Sequence, residues 1–211
     1  MDTHLLDSYI VAHSEKEPLL LEELYREAHV RLLRPRMLSG HLQGRILSML
    51  SHMIRPRRIL EIGTFAGYSA LCLAEGLAPD GKIITMEVDD EMEDFARSFF
   101  AKSLYEDKIE LIIGSALDLL PTMDEVFDMV FIDGDKREYV AYYDAVFDKV
   151  AVGGYILADN TLWDGKVIEP LVPSDKQTAG VIDFNEYLVQ DTRVEKVILP
   201  LRDGLTLIRK K

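Results

Sequence analysis

Short apolar runs rich in β-branched residues alternate with helical stretches from residue 57 onward. Nearly continuous apolar strands separated by helices are typical of a parallel sheet covered on both faces, so an α/β fold is predicted. The strands are predicted at 58–62, 82–88, 108–113, 127–133 and 154–158, with helices over 91–105 and 139–150. Two later runs, 194–199 and 205–209, flank Arg202-Asp203-Gly204. This hairpin signal predicts an antiparallel pair at the end of the sheet.

The residues before the first strand, 3–54, have helical periodicity. Ser14 is predicted to cap the second helix of this segment, because Glu17 follows three positions later and Pro18 lies near the first turn. A further amphipathic helix includes 42–53, and Pro56 prevents it from continuing far.

The length of 211 residues fits a single domain over 1–211. We expect this domain to consist of a helical leader, 1–56, and an α/β core, 57–211. The longest irregular segment is predicted at 162–179, and a loop of this length often borders an active site.

The acidic composition narrows the range of partners. Lys and Arg total 24 against 37 Asp and Glu, which gives a formal net charge of −13. This charge counts against general binding to DNA, RNA or anionic membranes, because phosphate attraction needs a basic face. The single cysteine, Cys72, excludes an internal disulfide and fits a reducing cytosol. Neither a secretory signal nor a run of ~18 apolar residues is recognisable, so a cytoplasmic protein without membrane attachment is predicted.

A glycine turn follows the first predicted strand and leads into an apolar helix. Gly63 and Gly67 are spaced G-x-x-x-G, not as the G-x-G-x-x-G of dinucleotide enzymes. Glu87 ends the next strand, 26 residues after Glu61, where a carboxylate can accept both hydroxyls of an adenosine ribose. A plain strand-to-helix turn is the alternative interpretation.

The acidic Glu61 disfavours a diphosphate ligand, because its charge at the mouth of such a site would repel phosphate. A cationic or zwitterionic ligand would tolerate it. S-adenosylmethionine carries a sulfonium and an ammonium and has no phosphate, so it fits better than NAD, and an NAD-dependent oxidoreductase is disfavoured.

Oxygen ligands follow the fourth and fifth predicted strands. Asp133, Asp159 and Asn160 would meet at the edge that also holds the glycine turn, because the carboxyl ends of parallel strands share one edge. Hard oxygen ligands suit Mg²⁺ or Ca²⁺, with Mn²⁺ as a further candidate. Capping of the following helices is the alternative for the aspartates. Lys136 is the candidate base, unless it pairs with neighbouring acids in solvent.

With these residues, the sequence resembles the metal-dependent O-methyltransferases of the catechol and caffeoyl-CoA type. The resemblance extends over about 30–210 and is carried by LEIGTFAGYSA, FIDGDKREY, ADNTLWDGKV and LPLRDGLTL. It implies a Rossmann-like class I methyltransferase fold, with a seven-stranded, mostly parallel sheet, an antiparallel last strand and helices on both faces. It also implies S-adenosylmethionine as methyl donor, a divalent cation and a homodimer.

The resemblance assigns roles position by position. Cofactor contacts fall on Ser39, Glu61, Gly63, Thr64, Ser69, Glu87, Ala116, Asp133 and Asp135. The cation ligands are Asp133, Asp159 and Asn160, and the catalytic pair is Lys136, as general base, with Asp133. Met37 lies in a lid segment, 37–39, over cofactor and substrate, and Asp164 takes a substrate-facing position. The acidic residue usual after this lid is replaced within 41–43, and plant-type specificity insertions are absent.

The acceptor class stays open because of an unusual basic stretch. Residues 31–58 hold seven arginines and no acidic residue, which leaves −20 for the rest of the chain. Three of the arginines precede the lid and could meet a phosphate-bearing acceptor, such as a CoA thioester or the hydroxylated wobble uridine of tRNA. Alternatively, they neutralise the protein's own acids or a dimer partner. We favour a small aromatic diol over tRNA, and a non-catalytic nucleotide-binding protein is the rival class.

Overall fold

The computed structural model describes residues 3–211, and its helices and strands largely follow the predicted alternation. The helices are α1 Thr3–Ala12, α2 Leu19–Arg31, α3 Gly40–Ile54, α4 Tyr68–Ala74, α5 Glu93–Phe100, α6 Ala116–Leu119, α7 Tyr139–Phe147 and α8 Lys176–Gln190. The strands are β1 Arg58–Ile62, β2 Lys82–Glu87, β3 Ile109–Ile113, β4 Phe127–Ile132, β5 Val150–Asp159, β6 Val194–Leu199 and β7 Leu205–Lys210. Short 3₁₀ turns lie at Pro35–Met37, Asp90–Met92, Glu106–Lys108, Leu120–Thr122, Lys136–Glu138 and Trp163–Ile168.

The seven strands form one sheet in the order β3-β2-β1-β4-β5-β7-β6. Strands β1 to β5 pair in parallel, whereas β7 runs antiparallel to both β5 and β6. The strand order reverses between β1 and β4, which is where open α/β sheets bind their ligands. The predicted Rossmann-like sheet with its terminal hairpin is therefore confirmed.

Three predicted local features differ from the structure. Ser14 does not cap α2, because α2 begins after Pro18. The Ser14 hydroxyl instead donates to the Ile10 carbonyl at 2.7 Å, at the end of α1. Strand β5 begins four residues earlier than predicted, because Val150 already pairs with Phe127 before a register shift in the ladder. The predicted irregular segment contains the 3₁₀ turn Trp163–Ile168, and α8 begins within it.

Both faces of the sheet are buried, which explains why the central strands read as continuous apolar runs. On one face, Ile59 and Phe131 pack with the leader helices, α4 and α5 in a single hydrophobic cluster. On the other, Leu60 and Val130 pack with residues of α7 and α8. Within residues 3–211, no helix combines the length and the apolar character that a membrane crossing requires.

The helical leader docks against α4 through both apolar and charged contacts. Leu47 of α3 is completely buried in the first cluster. Beside it, the two terminal guanidinium nitrogens of Arg45 donate to Glu75, at 2.9 and 2.7 Å, and the Ser48 hydroxyl donates to the same carboxylate at 2.5 Å. The leader therefore shares the hydrophobic core of the sheet, and these contacts hold α3 at a fixed position on α4.

Replacing Leu47 with Ala should lower the free energy of unfolding by about 2–5 kcal/mol, because a fully buried leucine side chain leaves a cavity. Met53→Ala on the same helix is the matched control; Met53 is 74% exposed, so its loss should stay within about 0.5 kcal/mol. Urea denaturation followed by circular dichroism measures both. Equal effects of the two substitutions would contradict the docking of α3 on the core.

Candidate active site

The loops after β1 and β4 touch at the carboxyl edge of the sheet. Gly63 has φ +100°, and a Cβ there would lie 2.3 Å from the backbone oxygen of Asp133. The Asp133 amide in turn donates to the Ile62 carbonyl at 2.8 Å. Glycine is therefore required at this position, because any side chain would push the two loops apart.

Glu87 at the end of β2 is held by backbone amides. Its Oε2 accepts from Phe65 at 2.6 Å, and its Oε1 accepts from Val88 and Asp89 at 2.9 and 3.0 Å. Three N–H donors fix the carboxylate beside the glycine turn. This placement agrees with a carboxylate that presents its remaining lone pairs to a ribose.

Glu61 and Thr64 form a buried network with Thr85. The Thr85 hydroxyl donates to Glu61 Oε2 at 2.5 Å and lies 2.5 Å from the Thr64 hydroxyl. Glu61 has no solvent exposure, so the expectation that it lies at an open mouth is not met. Its Oε1 has no hydrogen-bond partner among the described residues. Once Glu61 is ionised, the site thus contains a buried acceptor that a cationic ligand group would satisfy.

Burial raises the pKa of Glu61 to about 8. The neighbouring hydroxyls of Ser69 and Thr85 have the opposite effect on this pKa, because they favour the ionised form. The charges of Asp133 and Glu87 raise this pKa further. In the absence of a ligand, Glu61 is therefore mostly protonated at neutral pH.

Lys136 is buried and paired, contrary to its alternative interpretation as a solvated surface lysine. Its Nζ donates to Asp133 Oδ1 at 2.8 Å and to the Tyr139 hydroxyl at 2.5 Å. The Tyr139 hydroxyl donates onward to the Asp159 carbonyl at 3.0 Å. The amine is thereby anchored between the ends of β4 and β5.

Asp159 and Asn160 follow β5 directly. Asp159 is 4% exposed, and burial together with the charge of Asp133 raises the pKa of its carboxyl. Its Oδ1 accepts from the Asn160 amide at 2.8 Å, and its Oδ2 accepts from the Gln43 side chain at 2.6 Å. Asn160 has φ +56°, in the left-handed region, so the chain turns sharply at this point.

The predicted cation ligands therefore lie on adjacent strands, with the chemistry that a hard cation requires. Asp133, Asp159 and Asn160 offer two carboxylates and one amide oxygen. The mutual repulsion of the two carboxylates would be relieved by a cation. In the part of the chain that the structure describes, no cluster of three or more His, Cys, Asp or Glu side chains could hold a metal ion.

A cleft of about 1090 Å³ adjoins this edge, formed by residues 33–37, 162–168, 202 and 203. It includes Met37 and Asp164, the two residues predicted to face a substrate. The sheet edge that holds Asp133, Lys136 and Asp159 is called the catalytic edge below. Trp163 connects the cleft to it, because the Trp163 ring centroid lies 5.9 Å from Lys136 Nζ. Its indole Nε1 has no hydrogen-bond partner within residues 3–211.

The remaining predicted cofactor residues are placed around the sheet edge. Ser39, Ser69 and Ala116 are all buried, at the start of α3, in the first turn of α4 and at the start of α6. Asp135 is held by Arg137, with which it forms an ion pair, and by the Gln177 amide at 3.1 Å. The Arg137 guanidinium lowers the pKa of Asp135 to about 2.

The seven arginines of residues 31–58 separate into different environments. Arg45, Arg57 and Arg58 form ion pairs with acids of the chain itself, as the alternative interpretation proposed. Arg31 stacks over the ring of Phe95, 5.4 Å from its centroid. Arg34 and Arg36 line the cleft, and both are exposed.

Several residues of the site escaped sequence reasoning. Tyr139 lies within FIDGDKREY, three residues after Lys136, so helical spacing could have indicated its contact with the lysine. Gln43 lies where the usual acidic residue is replaced, and this departure was the available signal. Arg202 was part of the hairpin turn, and nothing in the sequence points from there to α3.

The fold and this edge define a Rossmann-like methyltransferase, and comparison with known proteins gives the family. The O-methyltransferase family profile matches residues 11–211. Caffeoyl-CoA O-methyltransferase 2 of Populus trichocarpa is 35% identical over 223 aligned positions, covering 100% of this chain and 90% of the relative. The chain belongs to the O-methyltransferase family.

Solved structures agree with this assignment. The O-methyltransferase TomG of Streptomyces achromogenes, involved in tomaymycin synthesis and solved with S-adenosylmethionine, superposes with a TM-score of 0.92 at 31% identity, covering 100% of this chain and 99% of TomG. An O-methyltransferase of Bacillus cereus in complex with S-adenosylhomocysteine gives 0.91 at 30% identity, with 98% and 97% covered.

The protonation of Glu61 should be visible in the pH dependence of stability. Because the pKa is raised from 4.5 to about 8, the folded state holds this proton where the unfolded state has lost it. Glu61 should therefore cost stability as pH rises above about 4.5, with a slope of up to about 1.4 kcal/mol per pH unit until its folded pKa is passed.

Urea unfolding of the wild type and Glu61→Gln between pH 5.5 and 8.5, with EDTA and without cofactor, measures this effect. The free energy of unfolding of the variant should increase relative to that of the wild type as pH rises, because all other groups titrate in both proteins. A stability difference that stays constant over this range would contradict the raised pKa.

Proposed function

We propose that this chain transfers the methyl group of S-adenosylmethionine to a hydroxyl of a small catechol-like acceptor, assisted by a divalent cation. The observation that carries this proposal is the buried Lys136 amine, 2.8 Å from Asp133 Oδ1 at the catalytic edge and beside the cleft. Buried lysines are uncommon unless they are paired, and this one lies next to space that an acceptor can enter.

The cofactor side fits S-adenosylmethionine. Glu87, fixed by three backbone amides, suits a ribose, and the unpaired Glu61 Oε1 suits the positive charge of the methionine part. The TomG and Bacillus cereus structures were solved with this cofactor and with its demethylated product, respectively. The proposed contacts also include Ser39, Gly63, Thr64, Ser69, Ala116, Asp133 and Asp135.

Asp133, Asp159 and Asn160 are the proposed ligands of the cation, with Mg²⁺ first and Ca²⁺ or Mn²⁺ as alternatives. When bound there, such an ion would lower the pKa of an acceptor hydroxyl and stabilise the oxygen charge that develops. The fully polar donor set and the raised pKa of Asp159 support the assignment.

Lys136 is the proposed proton acceptor, because an amine that has given up its proton carries a lone pair. A neutral amine has two N–H groups, which the carboxylate of Asp133 and the hydroxyl of Tyr139 can accept, and one lone pair for the proton. As the acceptor's O–H bond breaks, its oxygen bonds to the methyl carbon and the carbon–sulfur bond of the donor breaks. The products are the methyl ether, S-adenosylhomocysteine and protonated Lys136.

The cleft supports a small aromatic acceptor. Leu33, Met37 and Ile168 supply apolar walls, and Trp163 adds a flat ring with an unpaired N–H. The name of the Populus relative states a caffeoyl-CoA substrate, which carries a catechol ring.

tRNA is the second candidate, favoured by one observation. Arg34 and Arg36 are exposed at the cleft, and within residues 3–211 neither forms an ion pair, so both can meet phosphate. The net charge of −13 favours the small acceptor.

We also propose a cytoplasmic homodimer. The apolar side chains of α1 support the assembly, because Leu5 is 70% and Tyr9 60% exposed in the single chain.

The direct test is transfer of labelled methyl from S-adenosylmethionine to two acceptor pools, small catechols and tRNA with hydroxylated but unmethylated wobble uridine. We expect label in the catechols with Mg²⁺ and its loss with EDTA, because the cation would stabilise the developing oxyanion. Label in tRNA alone would overturn the small-acceptor proposal. Equal transfer with EDTA would overturn the role of the cation.

Lys136→Met should lower turnover of the catechol by about 10²–10⁴-fold, the usual contribution of general base catalysis. S-adenosylmethionine affinity, measured by calorimetry, should stay close to that of the wild type. Lys176→Gln is the control, since Lys176 lies exposed in the first turn of α8. Turnover of Lys136→Met at the wild-type rate would exclude Lys136 as the base.

A further inference from the structure

A chain of polar side chains connects the β6–β7 turn to Asp159. The Gln43 side chain is 1% exposed, and its Nε2 donates to Asp159 Oδ2 at 2.6 Å. Its Oε1 accepts from Arg202 Nη1 at 3.1 Å. The same nitrogen donates to the backbone oxygens of Leu38, at 3.2 Å, and of Ser39.

The partners fix the orientation of the Gln43 amide. A guanidinium has only donors and an ionised carboxylate has only acceptors, so the amide oxygen must face Arg202 and the amide nitrogen must face Asp159. If Arg202 is removed, Asp159 alone still selects the orientation of the amide, so the amide is held less firmly.

Gln43 also determines how Asp159 presents its charge. Oδ1 is held by the Asn160 amide at 2.8 Å and Oδ2 by Gln43, so the carboxylate cannot rotate without breaking one of two hydrogen bonds. Each oxygen keeps a further lone pair. A neutral amide adds no charge of its own: a lysine here would compete with a cation, and a glutamate would repel Asp159.

We propose that Gln43 and Arg202 are positioning residues, with Arg202 orienting the Gln43 amide and Gln43 holding Asp159 ready for the cation. Because Arg202 also holds the carbonyls of Leu38 and Ser39, the lid segment and the cation site are linked through one guanidinium. This inference rests on the proposed role of Asp159 as a cation ligand.

Binding of Mn²⁺ alone, followed by electron paramagnetic resonance on the full chain without cofactor or acceptor, tests the proposal. Gln43→Met keeps the side-chain length and removes the amide, and we expect Mn²⁺ to bind ~10–100-fold more weakly, as is usual when a partner of a metal ligand is lost. Gln43→Asn keeps an amide that is too short to reach Asp159, and should show the same loss. Gln190→Met, at an exposed glutamine in the last turn of α8, should bind as the wild type does.

A double-mutant cycle separates positioning from a general structural effect. Arg202→Met should weaken Mn²⁺ binding less than Gln43→Met does, and the double variant should be no weaker than Gln43→Met alone, because Arg202 acts through Gln43. Additive losses would overturn the role of Arg202. Thermal melting confirms that each variant is folded.

The outcomes distinguish this inference from the proposed function. If the wild type binds Mn²⁺ and Asp159→Asn does not, but both Gln43 variants bind within twofold of the wild type, the positioning role is wrong and the cation site stands. If the wild type binds no Mn²⁺, the cation assignment itself is overturned, and this inference with it.

Discussion

The catalytic edge depends on how the charges of its buried carboxylates are compensated, because little water reaches these groups. Glu61, Asp133 and Asp159 lie at the ends of three adjacent strands, and the buried Lys136 amine pairs with Asp133. Burial raises the pKa of Glu61 and of Asp159, which shows that the protein alone compensates these charges incompletely. A positively charged ligand would complete the balance. The proposed donor and the proposed cation both meet this requirement.

The topology of the sheet is what brings these charges together. Strands β1, β4 and β5 are neighbours although some 70 residues separate the ends of the first two, and parallel pairing puts all their carboxyl ends on one edge. Gly63 then allows the loops of β1 and β4 to touch. These relations follow from strand patterns and a glycine turn, which explains why Asp133, Asp159 and their sheet edge could be predicted from the sequence.

Other parts of the site depend on contacts that no local pattern contains. The Gln43 amide reaches Asp159 across 116 residues, and Arg202 reaches back to Ser39 across 163. The burial of Glu61 could not be predicted for a related reason. A carboxylate near the end of a strand is expected to be exposed, but the hydroxyl of Thr85, on the neighbouring strand, holds this one inward. Ser14 shows the limit at short range, since its hydroxyl can end one helix as readily as begin the next.

The two halves of the site are consequently built in different ways. The proposed cofactor half is formed by β1, β2 and β4 and their immediate turns, where the close approach of Gly63 to the Asp133 backbone also packs two loops together. The proposed acceptor half is formed by the leader, the segment after β5 and the β6–β7 turn, with Trp163 and Asp164 in the left-handed region. Exposed residues of that half, such as Arg36 and Asp164, can change without disturbing the core. On the proposed assignment, acceptor preference can diverge among proteins that keep the same methyl-donor half, because the exposed lining of the cleft lies outside the hydrophobic core.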